Sequence, residues 1–468
     1  MAAMMRLPRL PLRTLLCPLL ALTAGLPPAG AQAARTGDGA FEAEPVLAAA
    51  DLVPSALLAG PGYRVDPEVP VVGFMARFTL HTDAGPLQAD SIELLEERVL
   101  EMAALEVLDT VGHTQAFAHA VGESVAGRAR AVARVVRQSV ASLAGLPTGV
   151  LRFFRRELTK WGTRLGRHGD RIAHGVRNDG EPDDPDGPMT TGRVRRPPRP
   201  DRPWHASAGR EVMRQVRGAV DHGQARRMLA RRLGIDPYTA TRNPMLNRRL
   251  DRLAWSAAAG QFAMEQLLAA LPADTRETLG RGQRLNELVW DLDPEDLRAR
   301  NREVLARWCA DGFQIRRFLR HGAFLPGIQT RLVDALDGLA PARGCEDLLD
   351  LALAADHDVE ARFLANALRL AHAYLGEAAR GGELRTAGAG LVLVTRDGRR
   401  VLPLPVDCLA WTEDAAGFFA QPVLQSGPRL VLLAGTLSDR ALRELTRLGW
   451  EVVTRVSYTA AAAPAAAG

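Results

Sequence analysis

Apolar and polar positions alternate in two stretches of the chain and recur every three or four residues almost everywhere else. The first alternating stretch, VVGFMARFTLHT, is followed by the turn signal DAG and by PLQAD, which predicts a β-hairpin over residues 71–90. Directly after it, Asp90 or Ser91 stands as an N-cap for a helix to about Thr110, with Ile92, Leu95, Val99, Met102 and Leu105 at helical spacing. That stripe is expected to pack on the hairpin. The second alternating stretch comes late. GLVLVTRDGRRVLPLP reads as a hairpin centred on Asp397-Gly398, DCLAW as a strand, and PRLVLLAGTLSDRALRELTRLGWEVVTRV as strand, helix, strand. Ser438 is the N-cap of that helix, Gly449 its stop, and Leu442, Leu445 and Leu448 its packing face.

Between these stretches the period is helical. Residues 115–141 carry valines at 121, 125, 132, 136 and 140, and residues 149–177 carry Leu151, Phe154, Leu158, Trp161, Leu165, Ile172 and Val176 on one stripe. Arg152, Arg155, Arg156, Arg164 and Arg171 fall on the other face. Residues 178–203 are proline-rich and charged, so no packed element can be written onto them. Helical spacing resumes from Ser207 to about Gly382, broken at Ile235-Asp236-Pro237, Asp293-Pro294, Gly312, Pro326-Gly327 and Pro341, as in helical hairpins with short connections. The apolar run LAWSAAAGQFAMEQLLAALP contains Gln261, Glu265 and Gln266, which favour a buried core helix over a membrane span.

The fold class expected from this pattern is mainly α and multi-helix, with an N-terminal β-hairpin and a small C-terminal α/β subdomain. The organisation expected is a signal peptide at 1–31, a poorly ordered lead-in at 32–64, and a β-hairpin plus basic amphipathic helices at 65–177. A Pro- and charge-rich linker at 178–206, a helical domain at 207–385, the α/β subdomain at 386–459 and a disordered tail at 460–468 complete it.

Arg6, Arg9 and Arg13 precede an apolar run from Leu15 to Leu26 and then small residues that suit cleavage after Ala31 or Ala33. This leader predicts an exported protein, periplasmic or secreted, with no transmembrane span after cleavage. Lys160 is the only lysine, a bias that fits a GC-rich bacterial genome better than selection for arginine chemistry. Cys309, Cys345 and Cys408 remain after cleavage. One pair suffices for a bridge in an oxidising compartment, but the wide spacing is not a disulfide framework, and a core that folds without bridges is expected. Cys309 with His321 and Cys345 with His357 share a spacing, yet zinc sites bring ligands in close pairs, so no metal is expected.

The order of the segments GFMARFTL, GVLRFFRR, LGIDPYTATRNP and IRRFLRHGAFLPGIQTRLVDAL resembles a group of exported proteobacterial proteins with no assigned activity. The resemblance implies a shared fold over most of the mature chain and no particular chemistry.

Candidate chemistry is sparse. Asp356-His357-Asp358 resembles the dipeptide of HD-type metal-dependent phosphohydrolases, with His321 as a further ligand, but a charged helix start explains it better. Gly435-Thr436, between a strand and a helix, offers amides to an anion, although a phosphate loop brings more glycines. HExxH, G-x-S-x-G and Walker sequences are absent, no catalytic residue is nominated, and no cofactor is implied.

Charge changes the picture more. Residues 121–252 hold 28 Lys or Arg against 13 Asp or Glu, a net +15, and the chain's total of +5 leaves −10 for the remainder. Three readings compete for this basic middle: a helix lying on an anionic membrane or envelope surface, a track for a nucleic-acid backbone, or a solvated outer face of a packed helix. Export disfavours nucleic acid. The residues expected to touch an anionic membrane surface or envelope protein are Arg152, Phe153, Phe154, Arg155, Arg156, Lys160, Trp161 and Arg164. The function expected is non-enzymatic binding or scaffolding at the envelope, with a periplasmic hydrolase, metal-dependent or not and with its site in the C-terminal half, as the alternative.

Overall fold

The structure, a computed structural model, describes residues 40–112, 222–238, 243–258 and 288–458. The chain divides into Met1–Ala40 and Phe41–Gly468, and every element below lies in the second unit.

The N-terminal sheet has six strands: β1 (Val46–Ala48), β2 (Ala59–Gly60), β3 (Tyr63–Val65), β4 (Glu68–Val72), β5 (Met75–Thr82) and β6 (Gly85–Asp90), with a short helix α1 (Ala49–Leu52) after β1. All pairings are antiparallel, and β5 is the hub, pairing with β4 at its start, β3 at its end and β6 along its length. Two-residue turns fix the register. One lies at Asp83-Ala84, inside the expected hairpin. The other is Gly73-Phe74, where φ is +62° and +67°, the pair of positive values that a tight hairpin turn matched to strand twist requires. Phe74 is not glycine and pays for that conformation with about 1–2 kcal/mol.

Helix α2 (Ile92–Gly112) follows, its Leu94 amide held by the Ser91 hydroxyl at 2.9 Å. Leu95, Met102 and Leu105 are buried as their spacing predicts. Helices α3 (His222–Leu233), α4 (Pro244–Ala258) and α5 (Leu288–Asp291) share a core with α2 and the N-terminal sheet.

The second core belongs to α6 (Pro294–Trp308), α7 (Gly312–Leu319), α8 (Pro326–Leu339), α9 (Cys345–Leu353), α10 (Asp358–Leu375) and the C-terminal sheet. Each chain break read from the sequence marks a helix boundary here. Asp293 and Asp311 cap α6 and α7, while Pro294 and Pro326 occupy the first turns of α6 and α8. The C-terminal sheet comprises β7 (Glu383–Ala387), β8 (Gly390–Val394), β9 (Arg400–Leu404), β11 (Arg429–Leu433) and β13 (Trp450–Val453), in the order β13-β11-β9-β8-β7. β7, β8 and β9 meander antiparallel, whereas β9, β11 and β13 are parallel, with α12 (Asp439–Arg447) supplying the crossover between the last two. β10 (Cys408–Leu409) and β12 (Thr436–Leu437) form a separate parallel pair, and α11 (Glu413–Phe419) lies between β10 and β11 in the chain.

The mainly α reading is therefore corrected to an α and β protein with a six-stranded and a five-stranded sheet. Strands begin at Val46, inside the stretch expected to be poorly ordered. Two- and three-residue strands such as β1, β2 and β3 are too short to show an alternation, so only their pairing on β4 and β5 makes them strands. Cys309 and Cys345 are joined in a disulfide, which corrects the expectation of a bridge-free core, and Cys408 is buried and free. Among the described residues no helix is long and apolar enough to cross a membrane. The leader, the helices expected over 115–177 and the linker lie outside the described residues.

Candidate functional site

Helix periodicity sets up the most unusual feature of the interior. On α2, Glu93, Glu97 and Glu101 recur at four-residue steps, and on α10 so do Asp358, Arg362 and Asn366, so each series lines one helix face. The two faces meet, with Arg331 of α8 between them. Glu97 accepts from Arg362 Nη2 at 2.8 Å and from Arg331 Nη1 at 3.2 Å. Glu93 Oε2 accepts from Asn366 Nδ2 at 2.6 Å, while its Oε1 lies 3.7 Å from Arg331 and 3.8 Å from both Arg362 and Arg369. Asp236, from the segment LGIDPYTATRNP, adds a carboxylate 3.9 Å from Arg331 Nη2 and accepts from the Tyr238 amide at 2.8 Å. Gly327 makes room for it, since a Cβ there would stand 1.9 Å from Asp236 Oδ2. Lower on α2, Arg98 and Glu101 form a buried pair.

Charge decides which of these acids stay ionised. Burial alone would raise the Glu97 carboxyl, but Arg362 and Arg331 outweigh it and hold Glu97 below the ordinary carboxylate range. Burial wins at Asp236, despite Arg331, and at Glu101, despite Arg98, so both are raised. Glu96, half-buried, is pushed up to about 7 by burial and then by Glu93 and Glu97.

A second cluster joins the chain before β1, the β4–β5 turn, β5 and the start of α2 to the loop after β9 and to β10, and it contains acids and backbone amides. Glu44 Oε1 accepts from the Phe74 amide at 2.7 Å; Asp407 Oδ2 accepts from the Ala76 amide at 2.9 Å and from the Ile92 amide at 3.3 Å. Glu42 Oε2 accepts from the Trp411 amide at 2.8 Å and from the Ser438 hydroxyl at 2.5 Å. In return the Asp407 and Cys408 amides both donate to the Phe74 carbonyl at 3.1 Å. No guanidinium takes part in these bonds. Burial, reinforced by Glu93 and Glu96, raises Asp407 to about 7 in spite of the two amides it accepts.

Between the clusters is a small recess lined by Ser91, Glu93, Arg362, Phe363, Asn366 and Tyr458, among others. The Arg369 guanidinium lies 5.2 Å from the centre of the Tyr458 ring. Burial and the carboxylates of Glu93 and Asp407 raise the Tyr458 hydroxyl well above its usual value.

Arg152, Phe153, Phe154, Arg155, Arg156, Lys160, Trp161 and Arg164 all lie outside the described residues. His357 is the N-cap residue of α10, the Asp356 amide donates to Glu360 at 2.6 Å, and Asp358 lies 4.0 Å from Arg362 Nε, at the edge of the ion network. His321 accepts from the Ala323 amide at 3.3 Å in the turn after α7. Among the described residues no group of three His, Cys, Asp or Glu side chains could hold a metal ion. At Gly435-Thr436 the amides are already committed, donating to the Val406 and Asp407 carbonyls at 2.9 Å, and a Cβ at Gly435 would stand 2.0 Å from the Asp407 oxygen. That turn is a packing feature.

Sequence reasoning passed over Glu42, Glu44, Glu93, Glu97, Arg331, Arg362 and Asp407. The signal for three of them was present: Glu93 and Glu97 stand four residues apart around Leu94 and Leu95, and Arg362 sits in the run ARFLANAL, whose only other polar residue is Asn366, a pattern that buries charge. Segments quoted for the resemblance supply Phe74 and Ala76 to one cluster and Asp236 and Arg331 to the other. No family model matches the chain, and no curated protein or solved structure matches it.

Proposed function

We propose that the chain is an exported, non-enzymatic protein that binds or scaffolds at the cell envelope, periplasmic and peripheral to the membrane, meeting an anionic surface through its basic amphipathic stretch. The observation that carries this reading is how the described part disposes of its charge. Its buried acids and guanidiniums are engaged with one another or with backbone amides across 234 and 265 residues of sequence, a use that favours holding the fold over turning over a substrate. The cationic excess of the sequence falls in residues 121–252, which makes the basic amphipathic stretch at 149–177 the candidate for an anionic partner. The Cys309–Cys345 bridge supports passage into an oxidising compartment. Near an anionic surface each arginine contributes about 1 kcal/mol, so a handful suffice for salt-sensitive attachment.

The test is co-sedimentation of the mature protein with anionic and neutral liposomes over a salt series. Expected are binding to anionic vesicles only, weakening as salt rises, and loss of binding in the triple variant Arg152→Glu, Arg155→Glu, Arg156→Glu. Equal binding by that variant, or none by the parent protein, removes the reading. The hydrolase alternative, expected with a site in the C-terminal half, has one feature in its favour, the recess that α10 and Tyr458 form with Glu93 of α2. Hydrolysis of a generic ester or phosphoester that disappears in Glu93→Gln would put it first.

A further inference from the structure

We propose that Arg400 and Arg429, with Trp450 beside them, form a site for a phosphate-type oxyanion at the end of the C-terminal sheet where β9, β11 and β13 begin. Strand register brings the three together: Arg400 is the partner of Arg429, and Arg429 is the partner of Trp450. Partners on neighbouring parallel strands stand about 5 Å apart and turn their side chains to the same face. Two guanidiniums and an indole therefore form one row, and the Arg429 guanidinium lies 5.8 Å from the centre of the Trp450 ring.

The fold supplies these donors with almost no acceptor. Among the described residues no carboxylate pairs with Arg400 or Arg429, and Arg429 reaches only the Leu424 carbonyl, at 3.5 Å. The Nε atoms of both arginines and Nε1 of Trp450, a side chain that is 4% exposed, are buried without a hydrogen-bond partner. The acids closest in sequence are engaged elsewhere: Glu451 points to the other face of β13 and pairs with Arg399, Asp397 accepts from the Thr395 hydroxyl, and Glu444 pairs with Arg447. The turn that leads into β11, Gln425-Ser426-Gly427-Pro428, carries no acid. Like charges side by side on neighbouring strands repel, and an anion between them reverses the sign of that interaction.

Backbone approaches each guanidinium at a glycine. A Cβ at Gly427, where φ is +73°, would stand 2.6 Å from Arg400 Nη1, and one at Gly449, where φ is +78°, would stand 3.0 Å from Arg429 Nη2. Glycine at both places leaves the two forks uncovered by neighbouring side chains. The donors then fix the ligand class. A guanidinium offers N–H groups in a planar fork that matches pairs of oxygens, so two forks side by side suit a charged group with three or more acceptor oxygens. That is phosphate or a phosphate ester; a carboxylate fills one fork only, and the two positive charges reject a cation. Inorganic phosphate and a phospholipid headgroup share this chemistry. The site lies outside the basic stretch at 149–177 and does not rest on the envelope reading.

The experiment is titration of the full mature chain with inorganic phosphate at constant ionic strength, followed by the indole N–H resonance of Trp450, which its loss in Trp450→Phe identifies. Expected is a saturable shift of that resonance. Arg400→Gln and Arg429→Gln should each weaken the binding it reports by about tenfold or more, because each removes charge-assisted bonds. Arg385→Gln, on β7 at the opposite edge of the same sheet, should leave it unchanged. Phosphatidylglycerol vesicles separate the two sources: co-sedimentation that falls in Arg400→Gln identifies a lipid headgroup, and co-sedimentation unchanged while phosphate binding falls identifies a free phosphate or phosphate ester. The triple change at Arg152, Arg155 and Arg156 should leave the Trp450 response in place, so loss of the envelope reading and loss of this site are told apart. A resonance unmoved by phosphate, or one that responds equally in Arg400→Gln and the parent, would overturn the site. The first of these is read on the unaltered chain and does not depend on a variant that folds.

Discussion

Glu97 and Asp407 are both buried carboxylates that tie distant parts of the chain together, and they are held in opposite ways. Glu97 faces two guanidiniums, Arg362 at 2.8 Å and Arg331 at 3.2 Å, whereas Asp407 accepts backbone amides and faces other acids. A guanidinium returns the Coulombic energy that burial removes; an amide dipole returns only part of it. The first arrangement stabilises the ionised acid and the second the neutral one. Burial by itself predicts neither.

The largest effect expected from breaking this contrast is at Arg362. Arg362→Ala leaves Glu97 and Glu93 short of a partner in the interior and is expected to cost about 3–5 kcal/mol in urea denaturation. Replacing the pair together, as Glu97→Leu with Arg362→Leu, should cost less than the single change, because no uncompensated charge remains. Reduction of the Cys309–Cys345 bridge, which closes a span of 36 residues, comes next at about 2–4 kcal/mol. It joins the end of α6 to the start of α9, apart from both clusters, so reduced protein should keep the pH dependence of the oxidised form.

The pH dependence itself separates the two regions. Asp407 and Glu96 are raised to about 7 in the folded chain, so the folded state holds more protons than the unfolded one between about pH 4 and 7. Their contribution is full at acid pH and falls as pH rises through that window. Glu97 has the opposite sign: its lowered value gives stability that is present above about pH 4.5 and is lost as pH falls below it. Denaturation midpoints measured from pH 3 to pH 8 should therefore peak on the acid side of neutrality. At pH 8, Asp407→Asn should be more stable than the parent by about 1–3 kcal/mol, and the advantage should shrink as pH falls and vanish by about pH 4. The smallest effect is at the border between the regions, where Tyr458→Leu removes the ring under Arg369 and should cost about 0.5–1 kcal/mol through that contact.

How much of this was legible depends on the range of each interaction. The β5–β6 hairpin, the start of α2 at Ser91, the Asp and Pro helix starts of α6, α7 and α8, and the strand, helix, strand of β11, α12 and β13 all rest on neighbours in sequence, and each was readable there. The six-stranded sheet was not, because β1, β2 and β3 are defined by partners on other strands and are too short to carry a period of their own. The same applies to the buried acids. Asp407 in VLPLPVDCLAW has no sequence feature that distinguishes a buried acid from a turn residue, and its partners lie more than 300 residues away. Glu93, Glu97 and Arg362 left a trace, charges embedded in apolar helical runs, which a reading based on one stripe per helix assigns to solvent. The residues expected to touch a surface, Arg152 to Arg164, lie outside the described residues, and the liposome experiment bears on them directly.

Side-chain carboxyl carbon-13 NMR tests most directly whether the guanidinium-held Glu97 and the amide-held Asp407 titrate on opposite sides of the ordinary carboxylate range. Asp407 should titrate near neutral pH, its resonance identified by its loss in Asp407→Asn, while Glu97 should remain ionised down to the acid limit of the folded state. Titration of both in the ordinary carboxylate range would contradict the account, since neither the guanidiniums nor the amides would then be setting the charge of the acid they hold.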